Sequence, residues 1–441
     1  MKNIITNLIF LIGFILSAQA QTEINFNKLD SVYAYADKNS SVTKTNYQQT
    51  LLAKYQKIAA LANVVNLRNP VTFSLTDNTT LPVSFIPLSV ITGGKQSGFE
   101  KITLGQQYVS NFNITPQIDL INPGAWAQIK TANINEELTA TNNLLNKKSL
   151  HESIAACYFN IISFNEQVDI TTKNLSATDT LLQIVSNKFA QGLVRQQDVN
   201  DATVNKLSLQ DKLNQLKISL EQQYNSLKIL CEMPQSTKIN IKDAMSYNQS
   251  FTPEMEATSQ LQAKANMLQM EYAKADLRTN RLYNLPVISL LYSNSYYQNS
   301  VTKFFDNNPN NPWLNSAYFG AKITLNLPDV NHILSSRNAK INYQTALINM
   351  NHSKLQTDIA NNQLRLDYEK AYSQFMANQQ IAKLKEDNYR MALNQYNQAI
   401  LSFNNLLIYF NDMLISRFNA SSSLANLMYT KSKIDINNNI K

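Results

Sequence analysis

The chain has 441 residues, a net charge of +8 and 16% charged residues, long enough for a sizeable core or for more than one domain. Eight glycines, against an average of about 7%, disfavour a turn-rich all-β fold and glycine-lined phosphate pockets and favour long helices. Lys and Arg are scattered among Asn, Gln and Ser without a basic cluster, so the positive charge leaves no nucleic-acid footprint.

Lys2, the apolar run Leu8–Leu16 and Ala18-Gln19-Ala20 form an export signal with a small-x-small cleavage pattern. Residues 1–20 are expected to be removed, leaving Gln21 first. The run is far shorter than the roughly 20 apolar residues that span a bilayer, and no cysteine sits at the cleavage site to carry a lipid. A first helix is predicted from Phe26 to about Leu67, on Leu51, Leu52, Tyr55, Ile58 and Ala59 at helical spacing, and Pro70 stops it.

Val71, Phe73 and Leu75 then alternate with Thr72, Ser74 and Thr76. Tyr108, Phe112, Ile114, Ile118 and Leu120 alternate with Asn111, Asn113, Thr115, Gln117 and Asp119. Period two with one polar face predicts a strand pair within 71–121. Ile91–Lys101, with Gly93, Gly94 and Gly98, is the expected loop insertion. Gly124 to Gln191 would be about 100 Å long if helical, and it turns near Gly192. Leu209, Leu213, Leu216, Leu220, Tyr224 and Leu227 follow with coiled-coil spacing.

Cys157 and Cys231 lie at similar distances from that turn. Packed helix axes sit about 8–10 Å apart whereas a disulfide needs Cα atoms about 5.5 Å apart, so two buried free thiols are expected. A non-helical connection is predicted over 232–257, between Pro234 and Pro253. Leu261–Leu282 forms the next helix and Pro286 stops it. A second strand pair is predicted over 287–327, with Phe319, Ala321, Ile323, Leu325 and Leu327 facing away from Tyr318, Lys322, Thr324 and Asn326. A second long helix runs over 331–398 to a tip near Ala399. Phe403, Leu407, Phe410, Leu414 and Phe418 stripe the descent, and 429–441 is a tail. Tyr108, Tyr292, Tyr296, Tyr297, Trp313 and Tyr318 stand near the strand ends, the lipid-interface arrangement of a membrane β-barrel. A soluble sandwich strand carries the same alternation with its polar face outward.

The chain also lies on itself. Phe189-Ala190-Gln191-Gly192-Leu193 recurs as Tyr396-Asn397-Gln398-Ala399-Ile400, and at the same shift Ile118, Leu120, Asn122, Ala132 and Ile134 fall on Leu325, Leu327, Asp329, Ala339 and Ile341. A repeat of this length makes each half one supersecondary unit that needs its neighbour to bury an apolar face. The halves are 21–231 and 258–428.

Catalytic chemistry is missing. His151, His332 and His352 are too far apart for a local zinc motif. Gly94-Lys95-Gln96 lacks both the leading glycine, where Ser89 stands, and the Ser or Thr that binds magnesium. No Gly-x-Ser-x-Gly elbow occurs, and the adjacent Glu136 and Glu137 point to different helix faces. No enzyme activity, metal or cofactor is expected.

Signal, duplication, proline-led strand pairs and glycine-marked tips together resemble the TolC family of outer-membrane efflux channels, over about Asn25 to Asn426. Leu29-Asp30-Ser31-Val32 through Ala36 and Asn39 resembles the family's opening helix, and Asn284-Leu285-Pro286-Val287-Ile288-Ser289-Leu290 its helix-to-strand step. Phe189 to Val199 resembles the first tip, and Leu230-Cys231-Glu232-Met233-Pro234 the close of the first half.

The resemblance implies a mainly α fold with a membrane β part: long coiled-coil-like hairpins forming an α-barrel, and four strands per protomer in a trimeric β-barrel. It implies an outer-membrane location with a long periplasmic extension, and passive conduction in efflux or type I secretion. Its implied partners are two further copies, outer-membrane lipid, a periplasmic adaptor and an inner-membrane transporter, with no nucleic acid. It also implies a gate at the periplasmic tips, carried over onto Phe189, Gly192, Asp198, Tyr396, Ala399 and Asn405. The second tip departs from the family pattern, because Ala399 replaces the usual glycine and Asn405 an acidic residue, which leaves Asp412 as the nearest acid. Asp198 fits a gating pair with Tyr396 or a helix N-cap. The rival reading of the whole chain is a periplasmic adaptor or non-conducting coiled-coil scaffold, which has no need of two strand pairs.

Overall fold

The computed structural model describes residues 23–65, 71–80, 83–103, 106–243, 260–325, 327 and 330–440. The export signal, Pro70, Pro253, Asn326 and Asp329 lie outside them. In chain order the elements are β1 (Glu23–Phe26), α1 (Leu29–Asn39), α2 (Ser41–Val65), β2 (Val71–Asp77), β3 (Val83–Pro87), α3 (Leu88–Ile91), β4 (Phe99–Thr103), β5 (Tyr108–Ile114), β6 (Gln117–Ile121), α4 (Pro123–Ala190) and α5 (Gln196–Cys231). There follow β7 (Lys238–Ile241), α6 (Leu261–Leu282), β8 (Val287–Ser300), β9 (Leu314–Thr324), α7 (Val330–Asn397) and α8 (Phe403–Asn439). The fold is mainly helical with one curled sheet. Helices α4 and α7 each have 68 residues. No described helix is long and apolar enough to cross a membrane.

Two compact units form, each drawing on both halves of the sequence. One comprises Leu51–Leu138 with Met267–Asn349 and holds the curled sheet. Its order is β2, then β5 and β6, then β8, then β9, all antiparallel. Strands β5 and β6 both pair with one side of β8, so they are a single strand broken at Thr115-Pro116, where proline cannot donate to a ladder. The sheet is therefore four strands wide, and among the described residues β2 and β9 have no neighbour on their outer edges.

Asn122-Pro123 turns the sheet into α4. The Asn122 Oδ1 accepts the Ala125 N–H at 3.0 Å, an N-cap with proline at the first helical position. Gly124 is needed one residue on, because a Cβ there would lie 2.7 Å from the Tyr283 ring. The expected loop over Ile91–Lys101 belongs to a small excursion, the β3–β4 hairpin with α3 between its strands. Leu325 and Leu327 fall beyond the end of β9.

The second unit comprises the described residues of Met1–Thr50, Thr139–Asn266 and Met350–Lys441. Its main core packs Phe26, Val32 and Ala36 against Ile154, Tyr158 and Ile161 of α4 and Leu227 and Cys231 of α5. The single first helix expected from Phe26 to Leu67 is instead a strand and two helices. Strand β1 pairs in parallel with β7, Phe26 opposite Ile241. Ser40, extended at ψ 148°, ends α1, and its hydroxyl accepts the Thr43 N–H at 3.3 Å to start α2. A serine that can cap competes with helix continuation. Cys157 and Cys231 are free thiols, packed in the same core, and burial pushes Cys231 up to about 12.

Candidate functional site

Two regions carry functional geometry: the sheet and the helix tips. In the sheet, register puts Val71, Phe73 and Leu75 on one face with Phe112 and Ile114, with Ile288, Leu290, Tyr292 and Tyr296, and with Phe319, Ala321 and Ile323. This apolar face is open to the surroundings: Phe319 and Ile323 are 72% and 71% exposed. The opposite face is a hydrogen-bonded polar ladder. The Ser289 hydroxyl donates to Asp119 Oδ1 at 2.7 Å, Gln117 Nε2 donates to Asp119 at 3.0 Å and to Ser289 at 2.9 Å, and Asn122 Nδ2 donates to Asp119 Oδ2 at 3.0 Å. Further along, Ser293 and Ser295 hydroxyls donate to Asn113 Oδ1 at 3.4 and 2.9 Å. A sheet that buries polar groups and exposes aromatics inverts the usual globular rule. The alternation put Asn113 and Asp119 on the polar face in the sequence, but not their hydrogen bonds to Ser289, Ser293 and Ser295 across the sheet.

Of the aromatics expected at the lipid interface, Tyr292 and Tyr296 lie on the apolar face, 42% and 38% exposed. Tyr108 shares that face and meets Phe304 edge-on at 5.0 Å. Trp313 stands beside Phe305 at 6.2 Å, and Phe305 stacks on Phe73 at 5.7 Å. Tyr318 differs: it sits opposite Ser293, on the polar face, because it is out of phase with Phe319.

Both helical hairpins end in the same backbone device. At the first tip the Leu193 N–H donates to Lys188 O and the Gly192 N–H to Phe189 O, both at 2.9 Å; Gly192 has φ +73°. At the second, the Ile400 N–H donates to Gln395 O at 2.9 Å and the Ala399 N–H to Tyr396 O at 3.1 Å. These are Schellman closures, which place one residue in the left-handed region. Ala399 takes that position at φ +59°, where a Cβ costs about 1–2 kcal/mol.

The two tips share one apolar cluster of Leu181, Val185, Ala202, Ala392, Tyr396, Phe403, Leu406 and Leu407. Asp198 Oδ2 accepts the Arg195 N–H at 2.9 Å, which fixes the start of α5. Tyr396 is buried beneath the Lys188 ammonium, 4.3 Å from the ring centre. Burial, and second the Asp198 charge, push the Tyr396 pKa up, yet its hydroxyl has no hydrogen-bond partner among the described residues. The Asn405 N–H donates to Ser402 Oγ at 3.4 Å at the start of α8. Phe189 is 41% exposed. Asp412, the acid nearest Asn405 in sequence, is ion-paired to Lys385 at 2.6 Å. Lys188 was missed in the sequence, where nothing distinguishes it from other last-turn lysines.

Residues 89–231 match the family model described as outer membrane efflux protein. The matched segment runs from α3 to the end of α5 and is similar to outer membrane efflux proteins. The match points to the outer membrane and to transport. The fold is that of solved outer membrane proteins. VceC from Vibrio cholerae is 13% identical with a TM-score of 0.71, over 94% of this chain and 97% of that one. The CmeC outer membrane channel of Campylobacter jejuni is 16% identical at 0.71, over 93% and 84%. The open-state MtrE outer membrane channel of Neisseria gonorrhoeae is 14% identical at 0.68, over 93% and 88%. No curated protein sequence matches the chain.

Proposed function

We propose that this protein is a passive conduit, closed into a barrel by three copies of itself and gated where its helical hairpins end. The observation that carries the reading is the inverted sheet with two open edges. Strand β8 has 14 residues, about 45 Å at 3.3 Å per residue, and tilted by about 40° it spans about 35 Å, enough to cross a hydrocarbon core of about 30 Å. Unpaired strand edges are untenable in lipid, and only a closed sheet satisfies them. Joining β9 of one copy to β2 of the next closes the sheet, turns the exposed apolar face to lipid and keeps the Asp119 ladder on the inside. The two halves of the sequence then supply equivalent strand pairs and equivalent hairpins.

At the helix tips, the shared apolar cluster and the buried Tyr396 hydroxyl, without a partner among the described residues, support an entrance at Phe189, Gly192, Asp198, Tyr396, Ala399 and Asn405. An inner-membrane transporter and a periplasmic adaptor would deliver cargo there, as the resemblance to efflux channels implies. The test is reconstitution in planar lipid bilayers with the oligomer mass measured in parallel. Trimers with discrete conductance steps are expected. Recovery in the soluble periplasmic fraction without detergent, or insertion without conductance, would refute the conduit.

A further inference from the structure

Several cations of the helices are paired, among them Lys57 with Glu136 at 2.9 Å, Lys206 with Asp179 at 2.7 Å and Arg417 with Glu386 at 2.7 Å. One group departs from this. A pocket of about 570 Å³ beside the sheet collects Lys130 from α4, Lys274, Arg278 and Arg281 from α6, and Lys340 from α7, against the single carboxylate of Glu271. None of the five cationic side chains has a hydrogen bond or ion pair among the described residues. Lys274, Arg278 and Arg281 follow one another at helical spacing and so present one face of α6. Ile134, Ala275, Leu277 and Tyr343 complete the lining with apolar surface.

The position is as informative as the charge. Helix α6 ends at Leu282, and β8 begins at Val287, so Arg281 stands in the last turn before the sheet. Lys130 lies about 10 Å along α4 from its start, counted at 1.5 Å per residue. If the strands span the hydrocarbon core, Arg281 stands nearest the headgroups, which occupy the outermost 5–8 Å or so of each leaflet, and the other cations start about 6–15 Å further along their helices, with long side chains that line the same pocket. Guanidinium groups recognise phosphate oxygens bidentately, and ammonium groups add point charge.

We propose that this pocket binds the phosphate of an anionic phospholipid headgroup in the leaflet facing the helices, with the apolar lining holding the glycerol and first acyl carbons. The occupant anchors the helix ring at a fixed depth below the sheet. The inference rests on the membrane-spanning reading of the sheet, and the phosphate could also come from a soluble anion.

The full-length assembly is reconstituted in vesicles of phosphatidylethanolamine alone, or with one cardiolipin in five. Lipid retained after extraction is then counted by native mass spectrometry. Wild type should retain cardiolipin over phosphatidylethanolamine. Lys274→Ala/Arg278→Ala/Arg281→Ala should lose about fivefold in retention per cation removed, roughly a hundredfold together, while Lys274→Arg/Arg278→Lys/Arg281→Lys should keep most of it. Equal retention by wild type and the alanine variant overturns the site. Displacement of cardiolipin by millimolar inorganic phosphate, with phosphate itself bound by wild type and not by the alanine variant, upholds the phosphate site and overturns the lipid as its source. If the wild type neither inserts nor conducts, the membrane reading has failed, and titration with inorganic phosphate alone still decides the pocket.

Discussion

Ala399 is the sharpest test of the tip geometry, because the chain provides its own control. Both hairpins close with the same pair of hydrogen bonds, but one uses Gly192 at φ +73° and the other Ala399 at φ +59°. A Cβ in the left-handed region costs about 1–2 kcal/mol, and glycine returns about 0.4–1 kcal/mol of that through its freer unfolded chain. Ala399→Gly should therefore stabilise the second tip by about 0.5–1 kcal/mol. Gly192→Ala should destabilise the first by a similar amount, and the cost is purely backbone, since a Cβ at Gly192 meets nothing within 4 Å. Global melting of a membrane assembly is commonly irreversible and would blur so small a change. Amide hydrogen exchange resolved by mass spectrometry reads local opening directly. Peptides covering 395–401 should exchange about two- to fivefold more slowly in Ala399→Gly, and those covering 188–194 faster by a similar factor in Gly192→Ala. Unchanged or faster exchange at 395–401 in Ala399→Gly would mean that the left-handed turn is not the strained point, and the argument would fall.

Asp119→Ala should weaken the sheet by about 2–3 kcal/mol, because a charged acceptor of three side-chain donors is lost and those donors are left buried; heat-resistance of the oligomer on semi-native gels measures it, and a variant as resistant as wild type would refute the ladder's role. Hydrogen bonds from Ser41, its hydroxyl and its backbone N–H at 2.8 Å, hold the Glu232 carboxyl below its ordinary value of 4.5. A depressed carboxylate contributes stability above pH 4.5 that is lost as pH falls through the folded value, so Glu232→Gln should flatten the acid limb of a stability profile, and an unaltered limb would count against it. Phe410, fully buried beside Met413, Leu414 and Leu209, should cost about 3–5 kcal/mol as Phe410→Ala, read as a lower unfolding temperature. Tyr396→Phe removes a hydroxyl with no partner and should leave stability unchanged or raise it by about 1 kcal/mol, whereas Asp198→Ala loses a cap worth about 1 kcal/mol. Resting conductance should rise in both variants if the pair closes the entrance, and unchanged conductance in both would leave Asp198 as a cap alone.

What could be read from the sequence divides along physical lines. Period-two alternation at 71–75, 108–120 and 319–323 survives because lipid or water on one side and a polar face on the other impose it residue by residue. The long helices were legible for the same reason, since one unbroken seam fixes their spacing. Short elements were not: β1 and β7 have four residues each and owe their existence to one another. The break at Ser40 rests on a cap that costs the helix little, so no pattern marks it. Tyr318 lies on the polar face that its phase relative to Phe319 assigned it.

The tip residues and the basic pocket show the deeper limit. Asp198 is one residue type in two physical situations, a cap within its own turn or a charge near a neighbour's hydroxyl, and only the structure places its oxygen 2.9 Å from the Arg195 N–H. The sequence has no cationic run, yet Lys130, Lys274, Arg278, Arg281 and Lys340 come together from three helices. Linear charge patterning reports what neighbours in sequence repel or attract. Charges gathered by tertiary packing are invisible to it, and these five face one another with a single carboxylate between them. Such an arrangement is unfavourable when empty, because like charges are held close in a partly apolar pocket, and a bound phosphate relieves it. That relief, rather than the net charge of the chain, is what makes the pocket a site.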